Sequence, residues 1–482
     1  MNASHLRHLV PQSLGLFTDL YQLTMAYAYW QSGLYNREAV FHHFFRSTPF
    51  KHPYAISAGL ALAVEYLQAF RFSTQDIQYL GGLRGADNRP LFDESFLNYL
   101  QRMDFSCNID AVPEGTVVFP HQPLVRVQGP LLQAQLIETA LLNLINFSTL
   151  IATKSARIVQ AAEGDEVLDF GLRRAQGIDG GMTASRSAYI GGCHATSNAM
   201  AGRILGIPVK GTHAHSWVMC FEDELTAFRT YARQLPNNCV FLVDTYDTIE
   251  GVKNAIIVGH ELRKRGHEML GIRLDSGDLA TLSIAARELL DQAGFPNAAI
   301  VASNNLDEYK IAKLKKQGAK INIWGVGTRL VTGYDQPALG GVYKLAALRN
   351  LAGNWDYKIK LSEQAIKVSN PGVLQIRRYF DSMDTPIGDM IYNTVNGTTE
   401  HTFSDLQTTK VFNFEEKKSK DLLVPIFRNG KLIYQSPDLT AIRDYCLQQQ
   451  SLFQDVQAPY PTGLEKKLQK RKSNLIAVHE LN

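Results

Sequence analysis

The chain has 482 residues, 45% hydrophobic and 20% charged, with 49 Lys and Arg against 46 Asp and Glu for a formal net charge of +3. That size supports two or three domains with sizeable cores, and the near-balance of charge excludes a global nucleic-acid footprint or a polybasic membrane surface. Five cysteines (Cys107, Cys193, Cys220, Cys239 and Cys446) are odd in number and form no C-x-x-C pair, as expected of free thiols in a reducing compartment.

Residues 1–12 carry histidines and one arginine but no apolar stretch, so no secretory leader is expected. Helical periodicity predicts helices over 19–30, 55–70 and 94–103. Residues 110–120 (DAVPEGTVVFP) and 124–130 (LVRVQGP) then read as short strands joined by Pro/Gly turns. Residues 1–134 are accordingly predicted to form an N-terminal α+β domain. The most apolar long window, 136–152, is interrupted by Glu138, Asn143 and Asn146, so it is a core helix rather than a span. A soluble, cytoplasmic protein is expected, with no membrane or nucleic-acid partner.

Residues 135–368 have a different texture. Short apolar runs occur at 167–170, 207–209, 240–243, 270–274, 299–302 and 321–324, and helical patterns at 248–265, 279–293 and 307–317 separate the last four. Strands alternating with helices imply a parallel sheet, and so many regular units favour a barrel. Beyond residue 369 the chain turns β-like again at 373–380, 390–392 and 432–434, and this segment, 369–482, is predicted to pack back on the N-terminal domain. The basic run 465–472 lacks interleaved aromatics and reads as the solvated face of a terminal helix.

The polar residues at the end of each run carry the chemistry. Gly171, Leu172, Arg173 and Arg174 follow the first, and Gly211-Thr212-His213-Ala214-His215-Ser216 comes after the second. Asp244 to Asp247 end the third, and the fourth carries Arg273, Leu274, Asp275, Ser276, Gly277 and Asp278. Ser303, Asn304 and Asn305 end the fifth, and Gly325, Val326, Gly327 and Thr328 the sixth. Any one of these is an ordinary turn. Six in order, on one side of a parallel sheet, converge on one mouth, with Arg173, His215, Asp244, Asp275, Ser303 and Thr328 around it. Arginines there hold an anionic planar group, carboxylates hold ribose hydroxyls or Mg²⁺, and Gly/Thr loops offer N–H groups to phosphate. Such an inventory suits displacement of pyrophosphate from a ribose 5-phosphate by an electron-poor base. One of Arg173 and Arg174 is expected to face the site and the other to pair with an acid.

The segments LGLFTDLYQLTM (14–25), PEGTVVFP (113–120), DFGLRR (169–174), GTHAHS (211–216), RLDSGDL (273–279) and GVGT (325–328) resemble nicotinate phosphoribosyltransferase from about residue 14 to about 372. The resemblance implies an α/β fold, the irregular TIM-like barrel of the type II phosphoribosyltransferases with an additional α+β domain, and a homodimer with shared active sites. It implies that nicotinate and 5-phosphoribosyl 1-pyrophosphate (PRPP) give nicotinate mononucleotide in NAD biosynthesis, with ATP as co-substrate and Mg²⁺ or Mn²⁺ as cofactor. The family's transiently phosphorylated histidine falls on His215, with Asp244 and Asp275 beside it in the catalytic set.

The expected nicotinate contacts are Tyr21 (from the partner subunit), Phe170, Arg173, Ser197, Thr212 and Arg273. Those to the phosphoribosyl donor are Ser276, Gly277, Asn304, Gly325, Gly327, Thr328 and Ser369, the last in KVSNPG (367–372). Asp275 and Asp278 are the candidate metal ligands. His213 stands beside His215 with its role open. Rival readings are a nicotinamide or quinolinate phosphoribosyltransferase, a barrel enzyme for another sugar phosphate, or a non-catalytic barrel relative.

Overall fold

The computed structural model describes residues 13–364, 367–454 and 459–480; the N-terminal dodecapeptide, where no leader is expected, lies outside them. Two compact units emerge. One comprises the described residues up to Leu150 together with those from Ala338 onward, and the other Ile151–Pro337. The sequence boundaries at 134/135 and 368/369 stand elsewhere, for two reasons. Helix Glu138–Ala161 is continuous through the first. The strands Gly341–Arg349 and Trp355–Tyr357 add to the sheet of the first unit, with Gly341–Arg349 antiparallel to Glu38–Phe45.

The first unit holds a seven-stranded and a six-stranded sheet and a two-stranded ribbon. The C-terminal segment does return to the N-terminal part: Val424–Arg428 pairs antiparallel with Asn108–Ala111. Helix Leu20–Gln31 starts after its N-cap Asp19, and Leu23 and Ala26 enter the core. The helix expected over 55–70 is shorter. Ala55–Ile56 pairs with Val117–Val118, and Gly59, at φ 96°, then caps helix Leu60–Ala69. A side chain at Gly59 would strike the Leu144 carbonyl at 2.6 Å, so glycine is required there both by conformation and by space.

Within the second unit we number six strands: β1 Glu166–Asp169, β2 Ala195–Thr196, β3 Val240–Leu242, β4 Gly271–Leu274, β5 Ala299–Ala302 and β6 Ile323–Val326. All pair in parallel, in the order β2-β1-β6-β5-β4-β3. Two strand expectations change. The run at 207–209 forms only an isolated bridge, Val209 against Thr196, because Pro208 has no N–H to give a ladder. The strand it flanks, β2, has no apolar run of its own and escapes sequence patterning. The sixth strand begins two residues later than its run, so Gly325 lies inside it.

Helices Thr248–Lys264, Leu279–Gln292 and Glu308–Lys316 return the chain between strands, and Asp247, Asp278 and Asp307 cap their N-termini through side-chain bonds to backbone N–H groups. Aspartates at these turns therefore have a structural duty that their sequence context disguises as a catalytic one.

Candidate functional site

A cavity of about 730 Å³ opens at the C-terminal ends of the barrel strands. Phe170, Arg173, Thr212, His215, Arg273 and Asp275 are among its lining residues, as are Ser197, Ser303, Asn304, Gly325, Gly327 and Thr328. Five of the six groups expected at one mouth line it directly. The sixth, Asp244, is tied to it: its Oδ2 accepts from the Asp275 backbone N–H at 2.8 Å and from the Ser276 hydroxyl at 2.6 Å.

Arg273 projects from inside β4 rather than from the turn after it. Its Nε donates to Ser303 Oγ at 2.9 Å, Nη1 to Thr212 Oγ1 at 2.9 Å and Nη2 to Asp275 Oδ1 at 3.3 Å. Strand β5 and the histidine loop thus fix the guanidinium from two sides, and its side chain is only 17% exposed. Its charge lies 5.6 Å from the Phe170 ring centroid. Phe170 has room because residue 325 is glycine: a Cβ there would stand 2.6 Å from its ring.

His215 opens the short helix His215–Met219. Its Nδ1 lies 3.1 Å from Thr245 Oγ1, and its Nε2 faces Asp244 Oδ1 at 3.9 Å and Asp275 Oδ2 at 3.8 Å. Asp244 Oδ1 is buried and has no hydrogen-bond partner among the described residues. Two carboxylates, one with an unsatisfied oxygen, form an anionic corner of the hard oxygen donors that divalent cations take. Asp278 does not belong to that corner, because its oxygens bond Ala280 N and Thr281 Oγ1 as the cap of its helix. Those bonds hold its carboxyl below the usual range. Among the described residues no group of three His, Cys, Asp or Glu side chains is arranged to hold a metal by itself.

The other expected residues sort by place. Arg173 and Arg174 both line the cavity from the 3₁₀ turn Leu172–Arg174, and neither forms an ion pair among the described residues, against the expectation that one pairs with an acid. Gly277, at φ 74°, makes the turn before the Asp278 cap. Tyr21 and Ser369 belong to the first unit: Tyr21 is 50% exposed, whereas Ser369 is buried and its Oγ accepts from Lys360 N.

Three residues that the sequence places in these motifs without a role are supports. Thr245 holds the His215 ring, Asn305 joins the cavity wall, and Asp169 anchors the loop beneath it. Buried Asp169 accepts from Gly171 N, Ser185 Oγ and Thr196 Oγ1 at 2.8–2.9 Å, and burial raises its pKa despite those bonds. Asp169 opens the DFGLRR motif, but only the fold shows that it clamps β1 to β2.

Within the first unit, a second cavity of about 1100 Å³ is lined by Arg46, His121 and Lys472, among others. Lys472 comes from the basic run, yet it is half-buried, donates to Asn370 Oδ1 at 2.8 Å, and is pushed by burial down to about 8. The run is therefore not simply a solvated face.

A parallel barrel with guanidinium, carboxylate, hydroxyl and imidazole groups gathered at its C-terminal mouth is an enzyme architecture, built for a small anionic substrate. Comparison with known proteins narrows it. The N-terminal domain model of nicotinate phosphoribosyltransferase (NAPRTase) matches residues 16–146, the NAPRTase family model 166–356 and the NAPRTase C-terminal domain model 374–461. The nicotinate phosphoribosyltransferase of Bacillus subtilis (strain 168) is 45% identical over 451 residues, covering 90% of this chain and 88% of its own. The Homo sapiens protein of the same name is 36% identical over 432 residues, covering 78% and 79%. The crystal structure of human nicotinic acid phosphoribosyltransferase matches 95% of this chain and 99% of its own, with 31% identity and a TM-score of 0.82. A nicotinate-nucleotide pyrophosphorylase from Pyrococcus furiosus, 21% identical over 91% of this chain and 96% of its own, shares the fold at a TM-score of 0.69.

The chain belongs to the nicotinate phosphoribosyltransferase family. Its fold is the expected irregular α/β barrel with an additional α+β part, and among the described residues no helix is long and apolar enough to cross a membrane.

Proposed function

We propose that this enzyme joins nicotinate to PRPP, giving nicotinate mononucleotide and pyrophosphate, and drives the synthesis by hydrolysing ATP through a phosphoryl group on His215. The observation that carries the reading is Arg273, fixed in the cavity wall with Phe170 beside it and His215 and Asp275 close by. A guanidinium and an aromatic face suit a planar anion, the carboxylate of nicotinate meeting the charge and its ring the phenyl group. In the transfer, the pyridine nitrogen lone pair forms the bond to C1 of the ribose as the bond to pyrophosphate breaks, and no proton need move.

Asp244 and Asp275 flank Nε2 of His215 and favour the tautomer with the proton on that nitrogen. Nδ1 then keeps its lone pair, beside the Thr245 hydroxyl, and, once the γ-phosphoryl group of ATP takes the place of that hydroxyl, attacks the terminal phosphorus as ADP leaves. Water later releases the phosphoryl group as inorganic phosphate. Asp275 and Asp244 would hold Mg²⁺ or Mn²⁺, which would neutralise charge on the pyrophosphate leaving group. Gly325, Gly327 and Thr328 offer the donor a glycine-lined edge with a hydroxyl. In this reading the enzyme is a cytoplasmic homodimer in which Tyr21 completes the site of the partner subunit and Ser369 contacts the phosphoribosyl donor.

A panel of nicotinate, nicotinamide and quinolinate with PRPP, each with and without ATP, tests it by identifying the nucleotide formed. Nicotinate mononucleotide with ADP and phosphate is expected. Comparable turnover of nicotinamide or quinolinate, or nicotinate use indifferent to ATP, would overturn it.

A further inference from the structure

The barrel sheet has a seam. Strand β3 is at one edge: Val243 N donates to Arg273 O at 3.2 Å, so the preceding N–H, that of Leu242, points away from β4. At the other edge, residues 208–210 dock on β2, with Thr196 N donating to Pro208 O at 3.0 Å and Lys210 N to Thr196 O at 3.1 Å. Among the described residues no backbone hydrogen bond joins the two edges. The Leu242 N–H is nevertheless buried, where an unmet donor is destabilising. Its partner is a side chain: His213 Nε2 accepts it at 3.2 Å.

His213 is shaped for that task. Its Nδ1 faces the Ala214 carbonyl at 3.4 Å, so a neutral ring with the proton on Nδ1 meets both neighbours. The ring packs against Phe228, Tyr231 and Phe241 at centroid distances of 5.9, 5.1 and 6.5 Å. Burial, opposed by the Ala214 carbonyl and aided by the charges of Arg273 and His215, drives its pKa to about 4, which keeps the Nε2 lone pair free at neutral pH. The grip falls at a decisive place. Two and three residues beyond Leu242 stand Asp244 and Thr245, the partners of His215, which itself lies two residues beyond His213. On the same loop, Thr212 Oγ1 accepts from Arg273 and donates to the His213 carbonyl at 3.2 Å.

We propose that His213 is a positioning residue that closes the barrel seam by its side chain and so sets His215 against Asp244 and Thr245. Neither phosphoryl transfer nor substrate contact is its work. Its effect on phosphorylation rests on the proposed reaction of His215 with ATP; its hold on Leu242 does not.

The test uses the whole enzyme with two substitutions. His213→Gln keeps an acceptor near the place of Nε2, and His213→Phe keeps a flat ring without one. Hydrogen exchange at the Leu242 amide, kcat, the nicotinate KM and labelling of His215 from γ-labelled ATP are the readouts. In His213→Phe the Leu242 amide should exchange like an open edge, and kcat and labelling should fall about tenfold or more, with the nicotinate KM within about threefold of the parent. His213→Gln should recover both protection and kcat. Parent-like protection and kcat in His213→Phe would overturn the proposal, as would a folded Gln variant no better than Phe. If His213→Phe does not fold, the parent decides: a protected Leu242 amide retained in His213→Gln supports the seam, and an unprotected one in the parent overturns it. Protection as expected, with no label on His215 in the parent, would refute the phosphorylation and leave the seam standing.

Discussion

Arg273 is held by Ser303, Thr212 and Asp275, so the pocket meets its substrate with the guanidinium already aimed. A charge-assisted bond to a carboxylate is worth about 1.5–3 kcal/mol, or about 10- to 150-fold in affinity. Arg273→Ala should raise the nicotinate KM toward the lower part of that range, because Asp275 already shares the charge. Steady-state kinetics with nicotinate and nicotinamide check it, the amide being far less affected. His215→Ala should abolish acid-labile label from γ-labelled ATP and leave slow, ATP-independent transfer; label surviving in that variant would place the phosphoryl group elsewhere. Ser197, exposed in the cavity wall at the end of β2, offers a test of charge selection: Ser197→Asp should weaken nicotinate use more than nicotinamide use through carboxylate repulsion.

At the scale of the element, β6 shows how a strand without catalytic side chains shapes the site. Gly325 leaves space for Phe170, and Gly327 brings the chain past the Phe170 carbonyl, where a Cβ would stand at 3.2 Å. Gly325→Ala should displace the Phe170 ring, raise the nicotinate KM several-fold and lower stability by about 1–3 kcal/mol through overpacking, while His215 labelling persists. Kinetics and urea unfolding on one preparation check both halves. The loop after β5 likewise bends through Asn304 at φ 92° and Asn305 at φ 48°, and asparagine tolerates such backbone better than most side chains.

For the molecule as a whole, buried histidines set an acid limit. Burial, aided by Arg126, holds His42 down at about 3; burial opposed by its Asn146 bond holds His43 at about 4. Both rings are neutral in the fold, and unfolding lets them take up protons near 6.5. Their contribution is complete above that pH and is lost as pH falls toward about 4 for His43 and about 3 for His42, at up to about 1.4 kcal/mol per unit for each ring. Urea midpoints should therefore drop between pH 7 and pH 4.5, and His43→Gln should flatten the profile. The proposed shared-site dimer makes its own prediction. Mixed and refolded subunits of Tyr21→Ala and His215→Ala, each nearly inactive alone, should regain up to about a quarter of parental activity, because half the dimers carry one intact site. No recovery in verified mixed dimers would place Tyr21 in the site of its own chain.

The sequence by itself determined the chemistry of the strand ends and the parallel alternation behind them. Apolar runs and polar turns are local features: His215, Arg273, Asp275, Ser303 and Thr328 could be gathered at one mouth by periodicity alone. Tertiary structure decided what local pattern cannot carry. Asp244 and Asp278 sit in similar turns, yet one turns a buried, unsatisfied oxygen toward His215 and the other is spent capping its helix. Strand β2 is too short to show a pattern, and the continuous helix Glu138–Ala161 hides the passage from one unit to the next. His213 and His215 are near neighbours of one residue type in one loop. Only the open edge of β3, distant in sequence, makes one a buried acceptor and leaves the other facing two carboxylates, because a hydrogen-bond partner is chosen by the fold and not by the chain beside it.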